Sequence, residues 1–313
     1  MNSLPKEAVK FHNSFIFSPK YEAEHHFNTF TASDPDMTSH FITYRQSIIH
    51  YRKSGSGSHV TVCFHGFGEY AKTFDPIAAT LQGHCLIAID LPFHGETIWR
   101  EGNDLSIEVM LEIIRLCPEI GNNPFGLMGY SMGGRVAFTL YETIPAKINY
   151  LILIAPDGLK VNPWYWFATQ TFMGKRIFRY TMKNPNWFNS LLSASKKTGL
   201  VNESIMKFVH RYVDDRDMRE KVFRVWTTMR RFTPKLPKVK SNIKNYQTPV
   251  YLIFGRYDRI IVPQFGSSFI NGIEKWCHME VLDAGHQLLH PRYTDIIASA
   301  LTYCTDHQKH KTA

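Results

Sequence analysis

The chain has 313 residues, 44% hydrophobic and 20% charged, with 36 Lys and Arg against 27 Asp and Glu for a net charge of +9. That profile belongs to a globular chain with a sizeable core, and it excludes collagen-like, coiled-coil, disulfide-rich and disordered classes. The longest clean apolar run, 151–155, is far shorter than the roughly 20 residues a membrane-spanning helix needs.

Residues 1–40 read as an N-terminal extension whose start has no apolar stretch, so no signal peptide is expected. From Phe41 onward, short apolar runs alternate with helical patterns. Residues 41–44, 47–51, 60–64 and 85–89 read as strands, with a helix predicted over 73–81. Residues 106–117 carry Ile107, Met110, Leu111 and Ile114 at helical spacing. Then come a buried strand over 125–130, a helix over 136–141 and another buried strand over 151–155. Strands at 250–254 and 278–282 and a helix over 296–301 complete the pattern. Short apolar strands separated by helices predict an α/β fold, a mostly parallel central sheet with helices on both faces.

The stretch 157–245 differs in character and reads as a helical cap inserted after the sixth strand, leaving 41–156 and 246–313 as the core. It opens near Trp164-Tyr-Trp-Phe167 and carries a long pattern over 204–231. Within that pattern Met218, Val222, Val225, Trp226 and Met229 form one apolar helix face, and the basic run 235–240 reads as a linker back to the sheet.

In a parallel sheet, ligands sit at the carboxyl ends of the strands, so the residues that follow each strand matter most. After 125–130 comes Gly129-Tyr-Ser-Met-Gly133, a G-x-S-x-G pattern that places Ser131 on a strained strand-to-helix turn. A serine hydroxyl needs a base, and the base an orienting carboxylate, in the chain order Ser, acid, His. Asp258 follows the strand 250–254 and His286 follows 278–282, so both fit in order and placement. Asp283 and Asp157 are the rival acids. His65-Gly-Phe-Gly-Glu69 follows the strand 60–64; an oxyanion there would be held by the N–H groups of Phe67 and Met132.

Those blocks, with Ile87-Ala-Ile-Asp-Leu-Pro-Phe-His-Gly-Glu-Thr97, resemble the successive signatures of the α/β-hydrolase superfamily over 41–156 and 246–301. The resemblance implies Ser131 as nucleophile, His286 as general base, Asp258 as orienting acid, and Asp90 and His94 as structural turn residues. Phe93 departs from the glycine that relatives usually carry, either narrowing the site entrance or packing. A serine at position 131 is incompatible with the aspartate nucleophile of epoxide hydrolases and haloalkane dehalogenases of this fold.

The segment 65–69 resembles monoacylglycerol lipases and lysophospholipases, whereas Ser131-Met-Gly-Gly-Arg135 resembles the menaquinone-pathway synthase, a lyase whose arginine binds a substrate carboxylate. The leading expectation is a serine hydrolase of a lipophilic carboxylic ester, with Arg135, Tyr130, Trp164 and Trp166 as substrate contacts. The alternatives are a lyase, carbon–carbon hydrolase or thioesterase acting on an anionic substrate, and a non-catalytic ligand-binding protein. No metal, organic cofactor or nucleic-acid partner is implied. Cys63, Cys85, Cys117, Cys277 and Cys304 form no close pair, which suits reduced thiols and a cytoplasmic location.

The charge is unevenly placed. Residues 157–245 hold 19 Lys and Arg against 6 Asp and Glu, while the remainder holds 17 against 21. The excess belongs to the cap, which points to contact with an anionic surface or an anionic substrate.

Overall fold

Eight strands form a single sheet in the computed structural model, which describes residues 37–313 apart from 79–80, 82, 104, 161, 188–213 and 313. They are β1 (Thr38–Tyr44), β2 (Ser47–Ser54), β3 (His59–Phe64), β4 (His84–Ile89), β5 (Phe125–Tyr130), β6 (Ile148–Ile154), β7 (Val250–Gly255) and β8 (Cys277–Leu282). Their spatial order is β1-β2-β4-β3-β5-β6-β7-β8. β1, β2 and β4 pair antiparallel, and every later pairing is parallel. The interior strands β5 and β7 are buried along their whole length, so they read as unbroken apolar runs rather than alternating ones. β1 starts at Thr38, inside the expected N-terminal extension; residues 1–36 of that extension lie outside the described residues.

Chain order reverses between β3 and β5: β4 returns to one side of β3, and β5 begins on the other. At such a switch point the strand ends leave a crevice. The helix expected over 73–81 is shorter, a 3-10 turn at Ala71–Phe74 and one α turn, α1 (Asp75–Ala78); residues 79–80 lie outside the described set. In α2 (Ile107–Leu116) the Ser106 hydroxyl accepts from the Val109 N–H, and Met110, Leu111, Ile113 and Ile114 are buried. α3 (Met132–Thr143) begins directly after β5 and is buried on nearly every side.

Between β6 and β7 the described cap consists of α4 (Pro163–Gln170), α5 (Phe172–Lys183) and α6 (Arg216–Thr228), which pack on one another. Asn162, Thr171 and Asp215 cap their first turns. The earlier part of the 204–231 pattern lies outside the described residues. The expected basic linker is instead part of a helix, α7 (Leu236–Tyr246), packed on α3. Pro237 sits in its first turn, where a missing N–H costs nothing, and Val239 and Ile243 share the buried face. α8 (Pro263–Ile270) and α9 (Thr294–Thr312) complete the core. Among the described residues no helix is long and apolar enough to cross a membrane.

Candidate active site

Ser131 sits between β5 and α3 with φ +49, a left-handed conformation that few non-glycine residues adopt. The surroundings hold it there: its N–H donates to the Ile154 carbonyl at 3.0 Å, and its own carbonyl accepts from Gly134 and Asp157 N–H groups at 2.9 and 2.8 Å. The motif glycines are required by close approach. A methyl group at Gly133 would fall 1.9 Å from the Phe64 carbonyl oxygen, and one at Gly129 would fall 2.6 Å from the Gly133 carbonyl oxygen.

The serine hydroxyl faces a prepared base. Ser131 Oγ lies 3.0 Å from His286 Nε2, and His286 Nδ1 donates to Asp258 Oδ2 at 2.7 Å. The other Asp258 oxygen accepts from the Ile260 and Ile261 N–H groups at 2.7 and 3.0 Å, so the carboxylate has one orientation available. The loops after β7 and β8 are stitched together, Arg256 N–H to the Leu282 carbonyl and Tyr257 N–H to that of Ala284. Both rival acids are engaged elsewhere. Asp283 pairs with Arg256 at 2.6 Å, and Asp157 lies 3.4 Å from Arg135 Nε.

The loop after β3 passes over the serine: a methyl on Gly66 would lie 3.3 Å from Ser131 Cβ. Two neutral histidines support this loop. His65 Nδ1 donates to the Gly66 carbonyl at 2.7 Å, and its Nε2 accepts from the Leu91 N–H at 3.0 Å. Burial pushes its pKa down to about 4, which keeps the acceptor nitrogen bare. His94 accepts from the Gly68 N–H at 3.2 Å, and burial together with His65 and Lys221 drives its pKa down as well. Beneath them, Asp90 accepts from the Ala71 and Glu96 N–H groups and from His50 Nδ1. Burial raises the Asp90 pKa, but these hydrogen bonds outweigh it and the net direction is down. Met132 opens α3, so its N–H is among those a helix leaves without an internal partner, and it points from the positive end of the helix dipole.

A family model described as Hydrolase_4, serine aminopeptidase S33, matches residues 56–291, three-quarters of the chain. The chain belongs to that family. Among curated relatives, it is 34% identical over 115 residues to Esterase Rv0045c of Mycobacterium tuberculosis, covering 35% of this chain and 37% of that one. It is 30% identical over 102 residues to the human monoacylglycerol lipase ABHD6, covering 31% and 30%. The chain thus spans about a third of the length of these relatives. A carboxylesterase structure from the thaumarchaeon Nitrososphaera gargenis superposes with TM-score 0.60 at 17% identity, covering 85% of this chain and 99% of that one, a likeness of fold.

Within this hydrolase fold the four expected substrate contacts occupy different settings. Tyr130 is buried, and its hydroxyl lies 3.1 Å from both the His286 carbonyl and Gln287 Oε1, with its ring 5.5 Å from that of His286 in a tilted arrangement. These contacts place Tyr130 against the loop that carries His286. Trp164 and Trp166 are 75% and 50% exposed, so they do not line an enclosed acyl pocket. The cap interior is built instead by Trp226, which packs on Tyr165 and Phe178. Arg135 is not a residue of the helix surface. It is buried, with its guanidinium carbon 4.4 Å over the Tyr165 ring and its Nε beside Asp157.

Phe93 has φ +66, which explains why a glycine suits that position, and its ring lies under Arg224 of α6 at 5.5 Å. Sequence pattern alone does not single out Gln287; its amide reaches Glu69 at 3.4 Å and ties the histidine loop to the loop after β3. Its place directly after His286 was the only available signal. A surface groove of about 690 Å³ between α7 and α8, with Lys160, Lys240 and Lys244 on its rim, includes none of Ser131, Asp258 and His286.

Proposed function

We propose that this protein is a serine hydrolase that cleaves a carboxylic ester with a lipophilic acyl group through an acyl-enzyme, with residues 157–245 as its cap. The observation that carries the reading is the continuous line from Ser131 Oγ through His286 to Asp258, at 3.0 and 2.7 Å. The esterase and monoacylglycerol lipase among its relatives support the same class. The five unpaired cysteines suit a cytoplasmic setting.

In the first step Ser131 Oγ attacks the ester carbonyl while His286 Nε2 takes the hydroxyl proton. The Phe67 and Met132 N–H groups receive the developing oxyanion, each worth about 2.7–4 kcal/mol of barrier. The carbon–oxygen bond to the leaving group breaks, and His286 returns the proton to the departing alcohol. Water then attacks the acyl-enzyme, again giving its proton to His286, and the acid leaves as Ser131 recovers its hydrogen. Asp258 keeps His286 in the tautomer with Nε2 free to accept and stabilises the imidazolium.

A lyase acting on an anionic substrate would need Arg135 to meet a carboxylate. Asp157 and the Tyr165 ring already surround that guanidinium, which favours the ester reading. A fluorophosphonate probe and a p-nitrophenyl ester chain-length series test it. Labelling at Ser131, lost in Ser131→Ala, with turnover rising toward longer acyl chains, is expected. Unlabelled wild-type protein would end the serine-hydrolase reading. Labelling without turnover of any ester would point to lyase or carbon–carbon chemistry.

A further inference from the structure

The outer face of α4 and α5 has no counterpart elsewhere on the described surface. Trp164 and Trp166 on α4 are largely open, and on α5 Phe172 is 79%, Met173 66% and Tyr180 57% exposed. Down α5, Phe172, Arg176, Tyr180 and Lys183 follow one line, and Met173 and Ile177 follow the line beside it. Gly174, Phe178 and Thr181 face inward instead, Phe178 against Phe223 and Trp226 of α6. The apolar residues of the outer face are therefore not a cap core turned outward, because the cap already has one.

Charge selects the partner. Residues 158–187 contain Lys160, Lys175, Arg176, Arg179 and Lys183 and no Asp or Glu at all. Arg176 lies across the Phe172 ring at 5.8 Å. Aromatic and sulfur-bearing side chains flanked only by long basic ones suit a surface that is apolar below and anionic at its rim. That describes a bilayer containing anionic lipid, where Trp and Tyr settle at the headgroup level while Lys and Arg reach the phosphates.

We propose that the α4–α5 face docks the protein peripherally on an anionic lipid bilayer. The docking helix is joined to the site. Tyr165, between the two outward tryptophans, turns inward onto Arg135 of α3, the helix that starts beside Ser131. Docking would thus seat the cap, and the site beneath it, against the lipid phase. The assignment of that site as an ester hydrolase rests on the reading above, but the docking itself does not.

The test accordingly reads binding rather than turnover. Full-length Ser131→Ala protein is sedimented with phosphatidylcholine vesicles, with or without phosphatidylglycerol, over a series of salt concentrations. Binding only where phosphatidylglycerol is present, weakening with salt, is expected. Arg176→Glu with Arg179→Glu should weaken partitioning at least roughly twenty-five-fold, about fivefold for each lost basic group. Phe172→Ser with Met173→Ser should abolish the binding that survives at high salt, whereas Lys72→Glu on the core should change nothing. These positions are exposed, and near-UV circular dichroism and an unchanged thermal midpoint of each variant check that the fold is kept. No binding to the anionic vesicles, or binding indifferent to the α5 substitutions, overturns the proposal. So does lipid-free dimerisation in sedimentation equilibrium that the α5 substitutions abolish, since the occupant would then be a second copy.

Discussion

Core and cap differ in how many of their aromatic residues they leave open. In the core, Phe64, Phe74, Tyr130, Tyr141, Tyr150 and Phe254 are almost wholly enclosed, and buried tyrosine hydroxyls find partners, Tyr150 on Thr61 and Tyr141 on Thr248. In the cap, Trp164, Phe172 and Tyr180 stand open beside unbalanced positive charge. The core thus encloses its large side chains and pairs their polar atoms, while the cap encloses some, Trp226 against Tyr165 and Phe178, and leaves others open. Substitutions in the core should accordingly remove chemistry, and those at the seam should change how the cap is held.

The largest expected effect is that of Ser131→Ala. A triad acting as a unit loses roughly 10⁵-fold or more in kcat when its nucleophile is removed, and steady-state ester hydrolysis measures it. Asp258→Asn should follow at about 10⁴-fold in kcat with KM little changed, because an amide holds the wrong imidazole tautomer. Asp157→Asn and Asp283→Asn should retain most of the wild-type rate, since Arg135 and Arg256 rather than His286 hold those carboxylates. A crippled Asp283→Asn enzyme with an active Asp258→Asn counterpart would reverse the assignment.

Acid should weaken the core next. His65 is neutral in the folded protein down to about pH 4, whereas in the unfolded chain it takes a proton near its ordinary value of 6.5. Between those limits the unfolded state binds more protons, so stability falls as pH falls, is undiminished above 6.5 and bottoms out below about 4. The whole loss from this residue is at most roughly 3 kcal/mol. Urea unfolding at pH 7 and pH 5 checks it. A midpoint unchanged by that step would mean His65 is protonated in the folded state, and with it that Leu91 N–H lacks its acceptor.

What could be read in the sequence divides along the same line. The strands and the order Ser131, Asp258, His286 were legible because each motif hangs on a strand end, where the backbone leaves few alternatives. The α7 helix was not, because Pro237 and three lysines look like a linker until Val239 and Ile243 find α3. Arg135 and Tyr130 lie in the motif itself, yet their partners Tyr165, Asp157 and Gln287 come from distant segments, so only the tertiary fold reveals their roles. For Trp164 and Trp166, helical spacing cannot say which face looks inward. Tyr165, one residue from each, takes the buried side.

That same tyrosine supplies a seam prediction of intermediate size. Tyr165→Leu takes the ring from a buried guanidinium and should lower stability by about 1–2 kcal/mol, whereas Tyr165→Phe keeps the ring and should lose less. Denaturant midpoints for the pair separate the ring's share from that of the hydroxyl, which reaches the Trp226 carbonyl at 3.4 Å. Equal losses in both would place the energy in the hydroxyl instead.

The smallest effect isolates backbone strain at the seam. Phe93 pairs φ +66 with a ring under Arg224, so a substitution there removes two things at once. Comparing two substitutions separates them. Phe93→Ala loses the ring and keeps a side chain in the left-handed region; Phe93→Gly loses the ring and relieves that conformation as well. At an ordinary extended or helical position glycine is the less stable of the two by roughly 0.5–1 kcal/mol. Here the order should invert, with Phe93→Gly more stable than Phe93→Ala by about 1 kcal/mol, the scale of the left-handed penalty for a residue with a Cβ. Both lose the Arg224 contact equally, so their kcat/KM values on a long-chain ester should agree even as their unfolding midpoints differ. A glycine variant less stable than the alanine one would show that the loop relaxes out of the left-handed conformation once the ring is gone, which would make the cap contact, not the loop after β4, the reason for that backbone shape.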